Sequence, residues 1–172
     1  LETALSQSRI MLQQQEVTIQ NLEQQNLTAI AERDDRLHAM TDENKPVFVY
    51  IHGGGWASGG SSEPQYNGYN LAHYNPDIIV VTLSYRFNLM GLINLSSFPD
   101  GAEYETSVNN GVYDLIQALK WIKQNISAFG GDPENVTICG ESAGGGAVSV
   151  LCLNEEARQY FQKAIPMSGS VS

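Results

Sequence analysis

Two glycine-rich stretches hold residue types that could do chemistry. The first, Gly140-Glu141-Ser142-Ala143-Gly144, is a G-x-S-x-G pattern placed between a run rich in β-branched residues and a run of helical composition. A sharp strand-to-helix turn would lift the Ser142 oxygen clear of the backbone, and flanking glycines remove Cβ atoms that would clash in so strained a bend. At the start of the following helix, unpaired backbone N–H groups favour negative charge developing on a bound carbonyl. The alternative is a glycine-rich helix start in which Ser142 only caps the helix. The second stretch, His52-Gly53-Gly54-Gly55-Trp56, follows an apolar run ending at Ile51. Without side chains the backbone itself can approach a substrate oxygen and donate N–H groups to it. Three glycines alone could equally be a flexible turn; paired with the serine motif downstream, they suggest a cradle for an oxyanion.

The elements that would position these residues alternate between strand and helix. Residues 47–51 and 78–83 are short, near-continuous apolar runs rich in valine and isoleucine, as expected of strands buried on both faces of a parallel sheet. Residues 136–139 and 163–167 predict two further strands. Between them, residues 110–126 place Val112, Leu115, Ile116, Leu119 and Ile122 on one helical stripe, and a second helix starts at Ala143. This alternation predicts an α/β fold with central parallel strands covered by helices. The connections 53–77 and 85–109 are long, irregular and rich in Gly, Ser, Asn and Tyr, the kind of loop that carries function.

Residues 1–44 differ in character. They contain neither Gly nor Pro and are rich in Gln, which favours helix. Leu5, Leu12 and Ile19 recur at every seventh position, but Ser8, Gln15 and Asn26 interrupt the seam. A short coiled coil able to self-associate is one reading; a single solvated helix, or a segment foreign to the domain at 45–172, is the other. Leu1 at the start and the strand end just before Ser172 lead us to expect a chain cut at both ends. The formal net charge of −10 argues against a nucleic-acid partner or an anionic membrane surface. No apolar run is long enough to span a membrane. Cys139 and Cys152 cannot form a dense disulfide framework and sit in apolar surroundings, so the compartment is not legible.

The run Phe129-Gly130-Gly131-Asp132-Pro133-Glu134-Asn135-Val136-Thr137-Ile138-Cys139-Gly140-Glu141-Ser142-Ala143-Gly144-Gly145 is similar to the serine active-site signature of type-B carboxylesterases and cholinesterases. Further likeness lies in Tyr85-Arg86, in Asp114 with Ala118-Leu119-Lys120-Trp121-Ile122, and in Met167-Ser168-Gly169-Ser170. The resemblance implies an α/β-hydrolase fold, partial in this chain; the N-terminal helix read from composition precedes it. The resemblance also implies Ser142 as nucleophile, oxyanion-hole N–H groups from Gly54, Gly55 and Ala143, a small-molecule ester substrate, and no cofactor or metal. Glu141 is read as structural. Departures accompany it: Leu115 follows Asp114 where the family pattern expects Gln, and no histidine follows Ser142, since His38, His52 and His73 all precede it. The triad acid and histidine are therefore expected outside this chain, which by itself would be inactive.

Other chemistries find less support. Gly144, Gly145 and Gly146 lack the spacing of a dinucleotide loop, and no Cys and His cluster has metal-ligand spacing. The N-x-[ST] triplets start at Asn26, Asn94, Asn125 and Asn135, the last leading into a strand. The rival from another class is a non-catalytic cholinesterase-like interaction module, because a fold does not fix a function.

Overall fold

The computed structural model describes residues 20–22, 24–30, 44–96 and 98–169. The chain divides into two units, residues 1–42 and 43–172. In the first, residues 20–22 and 24–30 are helical and exposed, with the Thr28 hydroxyl donating to the Gln24 carbonyl one turn back at 2.9 Å. The remainder of the expected helix, with Leu5, Leu12 and Ile19 of its heptad seam, lies outside the described residues.

The second unit is built on four parallel strands: β1 (Lys45–Ile51), β2 (Ile79–Leu83), β3 (Gly131–Glu141) and β4 (Lys163–Met167), in the spatial order β2-β1-β3-β4. Among the described residues four α-helices accompany them: α1 (Tyr69–Tyr74), α2 (Asn88–Leu92), α3 (Asn110–Asn125) and α4 (Ala143–Leu153). Together they form a partial α/β-hydrolase fold. Ile51 pairs with both Leu83 and Gly140, and Glu141 with Met167, so all four strands end at one edge of the sheet.

The core lies on one face of that sheet. Val47, Val49, Ile51, Val136 and Ile138 are buried and cluster with Leu115, Ile116, Leu119 and Ile122 of α3 and Ala147, Val148 and Leu151 of α4. Burying each of the larger side chains contributes about 1.5–3 kcal/mol. The expectation of strands buried on both faces is corrected for β2, where only Leu83 is buried and residues 79–82 are half-buried, and for β1. Its odd-numbered residues Val47, Val49 and Ile51 are buried while Phe48 and Tyr50 are only half-buried, because side chains alternate along a strand and α3 and α4 cover one face. On the opposite face Phe48, Tyr50, Tyr66, Cys139, Ile165 and Met167 are among the residues lining a groove of about 410 Å³.

β3 begins earlier than its apolar run. Its pairing with β1 jumps from Lys45–Gly131 to Val47–Val136, leaving residues 132–135 as a bulge. Pro133 cannot donate to a ladder, and the Asp132 carboxylate accepts from the Glu134 N–H at 2.8 Å to make a local turn. Upstream, α3 winds into a 3-10 turn, Ile126–Phe129, closed by Gly130 in the left-handed region with φ 79°.

Candidate active site

A single residue, Ser142, joins β3 to α4, and its backbone is bent to φ 57°, ψ −121°. A non-glycine residue there costs on the order of 1–3 kcal/mol and persists only where its surroundings enforce it. They do so through the backbone. The Ser142 N–H donates to the Met167 carbonyl at 2.9 Å, and the Ser142 carbonyl accepts from the Gly146 N–H at 2.9 Å. The glycines around it permit this closeness. A Cβ on Gly144 would lie 2.2 Å from the Ile51 carbonyl oxygen, and one on Gly145 would lie 2.4 Å from that of Met167, so the first turn of α4 rests on the ends of β1 and β4. The Ser142 side chain makes no capping hydrogen bond, and the helix-cap alternative therefore fails.

The glycine loop emerges beside this bend because Ile51, the last residue of β1, pairs with Gly140. A Cβ on Gly53 would lie 2.6 Å from the Glu141 carbonyl oxygen and 3.3 Å from the Ser142 Cβ. Gly54, Gly55 and Trp56 then take positive φ values of 117°, 64° and 60° in succession. Gly54 is also sterically required, since its Cβ would meet the Ser58 carbonyl at 2.2 Å, whereas Gly55 opens onto free space. The Gly54 carbonyl closes a turn by accepting from the N–H groups of Ala57 and Ser58, each at 3.1 Å. Among the described residues, the N–H groups of Gly54, Gly55 and Ala143 find no protein acceptor. The four residues singled out in the sequence thus gather at one sheet edge. Gly53, given no role there, packs against the Glu141–Ser142 bend so closely that a Cβ would not fit; its signal is only membership of the glycine run.

The three histidines part company. His52 is 1% exposed, its Nδ1 lies 2.8 Å from the Gly53 carbonyl oxygen, and its ring stacks on Tyr85 with centroids 4.6 Å apart. The Tyr85 hydroxyl donates to the His52 carbonyl at 2.9 Å, and its pKa is pushed up to about 12, first by burial and then by the nearby Tyr66. His73 lies exposed on α1, stacked against Tyr69. His38 lies outside the described residues. Asp114 of α3 is committed to Arg86: its carboxylate accepts from Nε and Nη2 at 2.7 Å each and from the Arg86 backbone N–H at 2.9 Å. The Arg86 hydrogen bond holds this carboxyl below its ordinary pKa, and the pair ties the segment after β2 to α3. Among the described residues, no His, Asp or Glu side chain is hydrogen-bonded to the Ser142 hydroxyl. Also among them, no cluster of three or more His, Cys, Asp or Glu could hold a metal ion, and no helix is long and apolar enough to cross a membrane.

A serine on a strained strand-to-helix bend, facing a glycine loop from the neighbouring parallel strand, places the chain in the α/β-hydrolase class. The carboxylesterase family model matches residues 26–172, starting within the glutamine-rich segment, and the chain belongs to that family. It is 49% identical over 128 residues to the para-nitrobenzyl esterase of Bacillus subtilis, covering 74% of this chain and 25% of that protein. It is 45% identical over 124 residues to the liver carboxylesterase of Sus scrofa, covering 72% and 20% of the two. A solved carboxylesterase of Geobacillus stearothermophilus superposes with a TM-score of 0.70 at 45% identity, covering 76% of this chain and 27% of that one. The chain thus spans about a quarter of the length of the relatives it matches.

Proposed function

We propose that the whole protein is a serine carboxylic-ester hydrolase in which Ser142 attacks the acyl carbon of a small-molecule ester. The Ser142 proton passes to a general base as the oxygen–carbon bond forms, and the carbonyl oxygen becomes an oxyanion. The N–H groups of Gly54, Gly55 and Ala143 receive that oxyanion; each such donor typically contributes about 10² to 10³ in turnover. Collapse breaks the bond to the alcohol, which leaves with the proton, and water then releases the acid from the acyl-enzyme. The scheme calls for no cofactor. The observation that carries it is the bend at Ser142, with φ 57°, against Gly53 of the glycine loop.

A serine hydroxyl without a base is a poor nucleophile at neutral pH. Asp114 is engaged by Arg86, and His52 is engaged with its own loop. The reading therefore assigns the base and its acid partner to parts of the whole protein other than residues 1–172, and expects these residues alone to turn over little. The whole protein should hydrolyse a short-chain aryl ester, and Ser142→Ala should abolish this. Unchanged turnover in the variant defeats the proposal. Rapid labelling of Ser142 by a fluorophosphonate in residues 1–172 alone would defeat the assignment of the base elsewhere.

A further inference from the structure

The buried His52 side chain has no evident reason to be polar on its own account. Its Nδ1 faces a carbonyl oxygen, which can only accept, so Nδ1 carries a proton and donates, and Nε2 is left to find a partner of its own. That Nε2 is buried without a partner among the described residues, which is unfavourable for a polar atom. An apolar ring would fill the same space among Tyr66, Tyr85 and Phe87 without that cost. What the imidazole supplies is a tether. The Gly53 carbonyl and the Gly54 N–H belong to one planar trans peptide and point in opposite directions. Holding the oxygen on Nδ1 therefore fixes where the Gly54 N–H points.

A second tether acts one peptide earlier. The Tyr85 hydroxyl donates to the His52 carbonyl at 2.9 Å, which fixes the Gly53 N–H in the same way. Gly59 closes the arrangement from outside: a Cβ there would lie 2.5 Å from His52 Nδ1 and 2.6 Å from the Gly53 carbonyl oxygen. Glycines have the widest backbone freedom of any residue, so an untethered Gly53-Gly54 peptide could rotate and present its carbonyl where an N–H is needed. We infer that His52 and Tyr85 are positioning residues whose hydrogen bonds, from His52 to the 53–54 peptide and from Tyr85 to the 52–53 peptide, pre-aim the Gly54 N–H at the oxyanion, an inference that rests on the esterase reading above.

The test compares His52→Phe, His52→Asn and Tyr85→Phe in the whole protein. Asparagine carries an N–H close to the place of Nδ1; phenylalanine fills the space without one. Three readouts are taken: kcat and KM on a short-chain aryl ester, the affinity of a trifluoromethyl ketone that mimics the oxyanion, and the urea midpoint. His52→Phe should lower kcat about 10- to 100-fold, less than or equal to the loss of a whole donor, with KM within about twofold and ketone affinity falling in step with kcat. His52→Asn should recover to within about fivefold of wild type, and Tyr85→Phe should lose about 3- to 10-fold in kcat. Should His52→Phe fail to fold, Tyr85→Phe and His52→Asn still decide the matter. An asparagine variant as slow as the phenylalanine one, a loss expressed as raised KM, or unchanged kcat in Tyr85→Phe overturns the inference. An inactive wild type sinks the esterase reading and this inference with it, whereas an active wild type with wild-type kcat in His52→Phe sinks the inference alone.

Discussion

Replacing Gly144 by alanine would put a methyl carbon 2.2 Å from the Ile51 carbonyl oxygen and 2.9 Å from that of His52. Both neighbours are backbone at the end of β1, so no side-chain rotation relieves the clash, and the first turn of α4 must retreat by roughly an ångström to reach ordinary contact. Overpacking of this kind costs about 1–3 kcal/mol. Alanine's better helix propensity offsets about 1 kcal/mol of that, leaving a net destabilisation of up to about 2 kcal/mol. Function should fall further than stability. The retreat carries Ser142 away from the glycine loop, and a misplacement of about 1 Å between reacting groups costs on the order of 10²-fold. Aryl-ester turnover and urea midpoints, measured on the same preparations of the whole protein, separate the two effects. Gly60→Ala is the control, since its Cβ would meet only the Ser62 hydroxyl at 3.9 Å; it should keep both properties. Wild-type turnover in Gly144→Ala would refute the idea that backbone contact between α4 and β1 sets the site.

Other expectations follow from the packing and the charges. Leu119→Ala, at a fully buried position in the α3 stripe, should destabilise by about 2–5 kcal/mol in urea unfolding; a change under about 0.5 kcal/mol would deny α3 its place in the core. Asp114 is held below its ordinary pKa of 3.8 by Arg86, so its stabilisation is complete above that value and is lost as pH falls through the lowered folded pKa. The urea midpoint of Asp114→Asn should therefore lie below wild type by a constant margin above about pH 5, and the margin should close in more acid solution; a margin that widens there has the wrong sign. Burial raises the Cys139 thiol pKa, so alkylation of native protein at pH 8, read by peptide mass spectrometry, should be far slower at Cys139 than in urea. Equal rates would show the residue to be open.

The sequence made the central elements legible where chemistry and periodicity agreed. Residues 163–167 have the pattern of a strand and form β4, and the stripe from Val112 to Ile122 becomes the buried side of α3 except at half-buried Val112. The serine bend is readable because glycines at both 140 and 144 suit a sharp turn between an apolar β-branched run and a helical one. Three features are not. α1 and α2 lie within the long connections 53–77 and 85–109, since six and five residues carry too little periodicity to register. The early start of β3 was hidden because Asp132 and Pro133 look like loop residues, and only the neighbouring β1 makes a bulged strand of them. The tether from His52 to Gly53 depends on rotamers and on Tyr85, 33 residues away in the chain, which no local pattern encodes.

The most direct measurement is covalent mapping of the nucleophile. The whole protein, treated with a fluorophosphonate and digested, should carry one adduct, on the peptide containing Ser142, and the adduct should vanish in Ser142→Ala. A hydrolytically active protein labelled at another residue, or labelled equally in the alanine variant, would contradict the assignment of this bend as the reactive centre.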